Sequence, residues 1–212
     1  MEMIRAIAIG LPLTVLVTVL ALLIGTVVAL PIVAGLRSRN RLVWLMSRGL
    51  VDLLRGVPPV VWLFILYYGV SVGAIRLTAL QAGVLGLGVV AAAYLAEIFR
   101  GAISSIPKGQ WEASSALGFH RATVWSLIIG PQTARAVVPA YTTFAIGLLK
   151  DSSIASSIGV AEIVFMSSQY ARQSGEGIMV FFVAAGVYIL LSVPLGLLSR
   201  HLDIKMRKAV AR

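Results

Sequence analysis

Uncharged apolar runs alternate with short polar segments along nearly the whole chain, and the runs are longer than the helices of a soluble core. Ile7 to Leu36 contains no charged residue. A helix crosses a hydrocarbon core of about 30 Å with about 20 residues, so this run is expected to tilt, bend or protrude. Arg37, Arg39, Arg41 and Arg48 follow it at once. A second apolar stretch, about 50–75, contains Asp52, Arg55 and the pair Pro58-Pro59, and a third, about 82–103, has Glu97 and Arg100 near its end. The fourth is the weakest: Ala136 to Leu149 is short, so a span over about 132–150 must borrow from the sequence near Pro131. A fifth, about 178–199, precedes a basic tail of Arg200, His201, Lys205, Arg207, Lys208 and Arg212. The pattern predicts an all-α integral membrane protein with about five transmembrane helices, one domain over 1–212, and a long polar interruption at about 104–131.

Composition agrees. Hydrophobic residues make up 59% of the 212 residues and charged residues 12%, where soluble domains run at about 25% charged. The net charge of +10 reads as topogenic rather than as a nucleic-acid footprint, because Lys and Arg gather in particular loops. No cysteine is present, which excludes a disulfide framework or thiolate metal site, and His120 and His201 are too few for a metal cluster. Arg5 alone precedes the first apolar run, which outlasts a signal h-region of about 7–15 residues; a retained first span is expected. No internal repeat is visible, which argues against the inverted halves of many secondary transporters.

Thirteen Lys and Arg lie in segments 37–48, 100–135 and the tail, against four (Arg5, Arg76, Lys150 and Arg172) in the alternate segments. That asymmetry predicts an outside N-terminus, a cytoplasmic C-terminus and a cytoplasmic 104–131 loop. Within the loop, Trp111 to Leu117 should form a helix after Pro107, ended by a left-handed Gly118. A second short helix should run from Arg121 to Ile129. The corner Leu117-Gly118-Phe119 presents apolar groups at a bend that can seat in a groove on a soluble partner. The alternative is an interfacial helix pair, with Trp111, Phe119 and Trp125 at headgroup level.

Glu112-Ala113-Ser114, then Gly118, then Ile128 and Pro131, resembles the E-A-A-x3-G-x9-I-x-L-P signature of ABC importer permeases. Ser114 stands for the second alanine and Gly130 for the leucine. Leu54-Arg55-Gly56-Val57-Pro58-Pro59, Ala93 to Gly101, Ile106-Pro107-Lys108-Gly109-Gln110, and Leu148 to Ser153 through Ile158-Gly159 are similar to the polar amino acid branch of that family. The resemblance implies a type I importer permease fold and a place in the bacterial inner membrane. It implies two ATP-binding subunits docked on coupling helices, a second permease subunit (the same chain or a related one), and an extracytoplasmic binding protein. Glu112, Ala113, Leu117, Gly118 and Phe119 would couple to the ATPase. No Lys is followed by Ser or Thr, as a Walker A loop requires, so ATP and Mg would be held by the partner and the chain would be no enzyme alone.

Charges inside spans are costly and default to functional hypotheses. Asp52 and Arg55, and Glu97 and Arg100, are spaced i,i+3 and can pair on one helix face. They serve either as tethers or, through Arg55 and Glu97, as lining of the inner pathway. Lys150-Asp151 opens a stretch with Ser152, Ser153, Ser156 and Ser157, closed by Gly159. Hydroxyls beside a broken helix can hold a polar solute, though a solvated outer loop is equally consistent. For an amino acid, Asp151 or Glu97 could meet the ammonium, and Arg55, Lys150 or the hydroxyls of Ser152 and Ser156 the carboxylate. Trp62, Tyr67 and Tyr68 read as packing or interface anchors, Gly83, Gly86 and Gly88 as close-packing positions, and Glu162 and Glu176 as solvated outer-loop charges. The expected function is import of a polar amino acid or related zwitterion across the membrane, with lipid as surroundings. An ion- or proton-coupled carrier using Glu97 or Asp151, and a non-transporting scaffold, are the competing classes.

Overall fold

A computed structural model describes residues 1–72 and 75–208; the side chains of the basic tail beyond His201, including Lys205, Arg207 and Lys208, and the whole of Arg212 lie outside what is described. α1 (Glu2–Ile9) meets α2 (Leu11–Leu36) at Gly10, where Pro12 sits in the first turn of α2. At 1.5 Å per residue the 26 residues of α2 extend about 39 Å, enough to cross a bilayer. Its main partner is α5 (Ala79–Ser104), started by a capping box in which Thr78 Oγ1 accepts from the Gln81 amide and Gln81 Oε1 from the Thr78 amide. Small residues set the approach. A Cβ placed on Gly25 would stand 2.7 Å from the Ala91 Cβ, and one on Gly88 would stand 3.0 Å from the Ile24 side chain. Lipid gives no hydrophobic drive between helices, so this van der Waals fit is what joins them. Gly83 and Gly86 likewise admit Ala155 and Leu63, so these glycines serve close packing.

The 50–75 stretch is not one helix. α3 (Arg41–Gly56), capped by Asn40 Oδ1 on the Leu42 amide, stops before the prolines. Val57 and Pro58 are extended, and α4 (Pro59–Phe64) starts afresh at a bend of 98° before passing into a π turn, Ile65–Gly69. The residue before a proline is pushed out of helical conformation, whereas proline suits a first helical position. A two-residue hairpin, β1 (Ser71–Val72) with β2 (Ile75–Arg76), links onward to α5.

At the far end of α5, α6 (Lys108–Ala116) closes at Gly118, whose φ is +73°. The Phe119 amide donates to the Ser114 carbonyl and the Gly118 amide to that of Ser115, which is a Schellman ending. α7 (Arg121–Thr123) runs through a π turn, Val124–Ile129, into α8 (Gly130–Asp151). A 3-10 turn, Ser152–Ile158, follows and ends at Gly159, φ +89°. α9 (Ile163–Ser174) and α10 (Gly177–Lys208) complete the chain. Among the described residues, three helical segments are long and apolar enough to cross a membrane, and up to five do if each bent pair is one span. The outer face of α10 exposes Ile178, Phe182, Ile189 and Leu190, as a surface facing lipid or another subunit requires.

One expectation fails outright. Glu162 is not a solvated outer-loop charge: it is fully buried at 0% exposure. Its carboxylate caps α9, accepting from the Phe165 amide at 2.7 Å and from the Tyr188 hydroxyl of α10 at 2.8 Å. Beside it, Thr14 Oγ1 accepts from the Ile163 amide and donates to the Gly10 carbonyl, each at 3.2 Å. The first turn of α9 leaves the amides of Ile163 and Phe165 without helical partners in an apolar setting, and these side chains satisfy them. Glu176, by contrast, is exposed.

Candidate functional site

Where α4, α5 and α8 meet, a cavity of about 260 Å³ opens. Its wall is apolar and aromatic, with Pro59, Ala91, Tyr94, Phe144 and Leu148, and it carries one carboxylate, Asp151. Tyr94 and Phe144 stack with ring centroids 5.8 Å apart. The break at Pro58-Pro59 positions Arg55 beside this wall: its guanidinium carbon lies 4.9 Å from the Tyr94 ring centroid, a cation–π contact. One aromatic residue therefore borders the acid-bearing cavity and supports a cation.

Charge pairing differs from the simple i,i+3 expectation. Asp52 pairs with Arg48, whose Nε donates at 3.0 Å, and not with Arg55. Arg48 also reaches across to α5, its Nη1 donating to Glu97 Oε1 at 2.9 Å, while Arg100 Nη2 donates to Glu97 Oε2 at 2.7 Å. Glu97, 16% exposed, is held by two guanidiniums and is absent from the cavity lining. It tethers α3 to α5. Lys150 is exposed and does not line the cavity either.

The serine run has a particular polarity. Ser152 donates to the Leu149 carbonyl and Ser156 to that of Ser153, at 2.7 and 2.6 Å, and Ser153 and Ser157 donate three residues back in the same way. Each hydroxyl spends its proton on its own backbone and keeps only acceptor capacity. Such groups suit an ammonium; they do not suit a carboxylate.

At the loop end, the coupling corner projects outward. Leu117 is 71% and Phe119 46% exposed, and Glu112 and Ala113 also face out. A Cβ on Gly118 would meet nothing within 4 Å, so the glycine is required by its φ and not by crowding within the chain. Behind the corner, Trp111 and Trp125 pack edge to face at 5.4 Å. Gly130, the departure from the motif, closes the π turn: its amide donates to the Trp125 carbonyl, and a Cβ there would collide with that carbonyl oxygen.

Residues 21–208 match the family model described as "Binding-protein-dependent transport system inner membrane component". The chain belongs to this family. It is the membrane-embedded component of a binding-protein-dependent transport system. Among its relatives, "Probable amino-acid permease protein YxeN" of Bacillus subtilis (strain 168) is 32% identical over 202 residues, covering 94% of this chain and 90% of that protein. "Histidine/lysine/arginine/ornithine transport system permease protein HisQ" of Escherichia coli (strain K12) is 33% identical, covering 81% and 78%. A solved amino acid ABC transporter crystallised with histidines superposes with a TM-score of 0.88 at 27% identity, covering 95% and 94% of the two chains. An inward-facing methionine ABC transporter, at 20% identity and TM-score 0.80, shares the fold.

Several site-forming residues are invisible to motif reading alone. Tyr94 was within reach, being i,i+3 from Glu97 on α5. Phe144, Arg48 and the Glu162–Tyr188 pair depend on helices that only the fold brings together.

Proposed function

We propose that this permease carries a polar amino acid or related zwitterion inward through the α4–α5–α8 cavity, driven by ATP hydrolysis on separate subunits. The supporting observation is that the Tyr94 ring, part of the cavity wall that carries Asp151, also holds the guanidinium of Arg55, which is itself outside the cavity lining. A zwitterion needs partners of both signs. Asp151 takes the ammonium; Ser152, fully buried, and Ser156 lie outside the cavity lining. Arg55 takes the carboxylate. Relatives named for amino acid transport support the substrate class.

The assembly that goes with this reading has two ATP-binding subunits on the Leu117–Phe119 corners, a second permease subunit and an extracytoplasmic binding protein. ATP and Mg belong to the ATPase. The N-terminus lies outside and the C-terminus in the cytoplasm, supported by the thirteen-to-four distribution of Lys and Arg. Proton coupling through Glu97 is disfavoured, because its carboxylate is engaged by Arg48 and Arg100 as a tether between α3 and α5 and does not line the cavity. The experiment is uptake by the reconstituted complex carrying Asp151→Asn. Uptake should fall about tenfold, the value of one charge-assisted hydrogen bond of about 1.5 kcal/mol, with assembly unchanged. Wild-type uptake would remove Asp151 from the site.

A further inference from the structure

Between the end of α2 and the coupling helices lies a second and larger cavity, of about 630 Å³, with no assigned role. Arg37, Arg39 and Arg121 line it together with Trp111, Trp125 and Phe119, and no carboxylate does. Among the described residues the ion pairs are Arg48–Asp52, Arg48–Glu97 and Arg100–Glu97, so none uses these three arginines. All three arginines are exposed, and an anion among them would offset the repulsion that solvent only screens. The volume lies within the range of about 300–1,000 Å³ typical of small-molecule sites.

The position identifies the anion. Arg37 is the residue directly after α2, the first membrane-crossing helix, and Arg39 lies two residues beyond. They follow directly on the first apolar run, so where that run leaves the hydrocarbon they would meet the lipid headgroups, a level at which tryptophan is also favoured. Trp111 is fixed there: it packs against buried residues of the bundle on one side and against Trp125 on the other. Planar guanidiniums bind phosphate oxygens bidentately and specifically. We infer that this cavity is a binding site for the phosphate headgroup of an anionic phospholipid, held by Arg37, Arg39 and Arg121 against the Trp111–Trp125 wall. Because Arg121 and Trp111 flank the Gly118 corner, a bound lipid braces the coupling helices against the end of α2.

The test uses the chain co-expressed with its ATPase. Delipidated complex is titrated with phosphatidylglycerol, phosphatidylcholine or soluble glycerophosphoglycerol, and bound molecules are counted by native mass spectrometry. The wild type should retain phosphatidylglycerol over phosphatidylcholine, and the triple variant Arg37→Gln/Arg39→Gln/Arg121→Gln should lose about tenfold or more of that preference, from three charges near an anionic headgroup. Co-purification of ATPase should be unchanged. Equal phosphatidylglycerol retention by the triple variant overturns the proposal. So does soluble glycerophosphoglycerol competing as well as the lipid, which would make this a site for a free phosphate ligand. Loss of ATPase with lipid retention intact overturns it as well, by marking the cavity as a protein interface. Arg→Lys replacements at the same three positions provide a folded control: they keep charge but lose bidentate geometry, so an intermediate preference is expected, and a preference equal to that of the wild type would count against guanidinium recognition.

Discussion

Gly118→Val isolates the backbone requirement at the coupling corner. Gly118 has φ +73° and closes α6 through the Phe119–Ser114 and Gly118–Ser115 hydrogen bonds. Nothing within the chain lies within 4 Å of a Cβ there, so the substitution creates no internal clash. Its cost is conformational: about 1–2 kcal/mol for an L-residue in the left-handed region, at the upper end for a β-branched one. With about 1.4 kcal/mol per factor of ten, the equilibrium constant for the folded corner falls about five- to thirtyfold. Substrate-stimulated ATP hydrolysis of the assembled complex should fall by up to that factor, with membrane insertion intact. Gly118→Asn is the informative companion, because asparagine tolerates the left-handed region; it should retain more stimulation than valine. Full stimulation by the valine variant would refute the docking role. Equal loss with asparagine and valine would shift the cause from φ to close approach by the partner.

Gly25→Leu should lower the thermal midpoint, since its Cβ would stand 2.7 Å from that of Ala91 and overpacking costs about 1–3 kcal/mol; Gly147→Ala, with nothing within 4 Å, should leave it unchanged. Glu162→Ala should destabilise by about 1–3 kcal/mol, because it strips the α9 cap and leaves the Tyr188 hydroxyl buried without its acceptor. Tyr188→Phe should cost less, about 1 kcal/mol, and a double-mutant cycle read by thermal unfolding in detergent should show the two coupled; additive effects would contradict the contact. Gly130→Leu restores the residue of the motif this chain resembles, yet should reduce stability and coupling, because the Trp125 carbonyl occupies the space a Cβ needs. An unchanged midpoint and unchanged ATPase stimulation would show that the π turn is not what demands glycine.

The long apolar runs and the Gly118 ending were legible because both depend on local rules, namely length without charge and the left-handed preference of glycine. In the 50–75 stretch hydropathy counts composition and ignores direction, so it does not reveal the bend: Pro58-Pro59 turns the chain by 98° without making it less apolar. Glu162 did mislead. A carboxylate in a short polar segment looks solvated, and only the packing of α10 on α9 supplies the Tyr188 hydroxyl that makes its burial tolerable. Within the cavity, Asp151 was visible by its charge, whereas Phe144, which closes the wall by stacking on Tyr94, had no signal apart from being aromatic. Arg55 was singled out for its charge, but its partner proved to be a ring and not Asp52.

The central claim is tested most directly by reconstituting the chain with its ATPase and companion permease subunit in liposomes. Labelled amino acids are then offered together with the matching binding protein, with ATP present or absent on the ATPase side. The account predicts uptake that requires ATP and the binding protein, persists in the presence of an uncoupler, and falls in the Asp151→Asn complex. Uptake that continues without ATP and collapses with the uncoupler would contradict it.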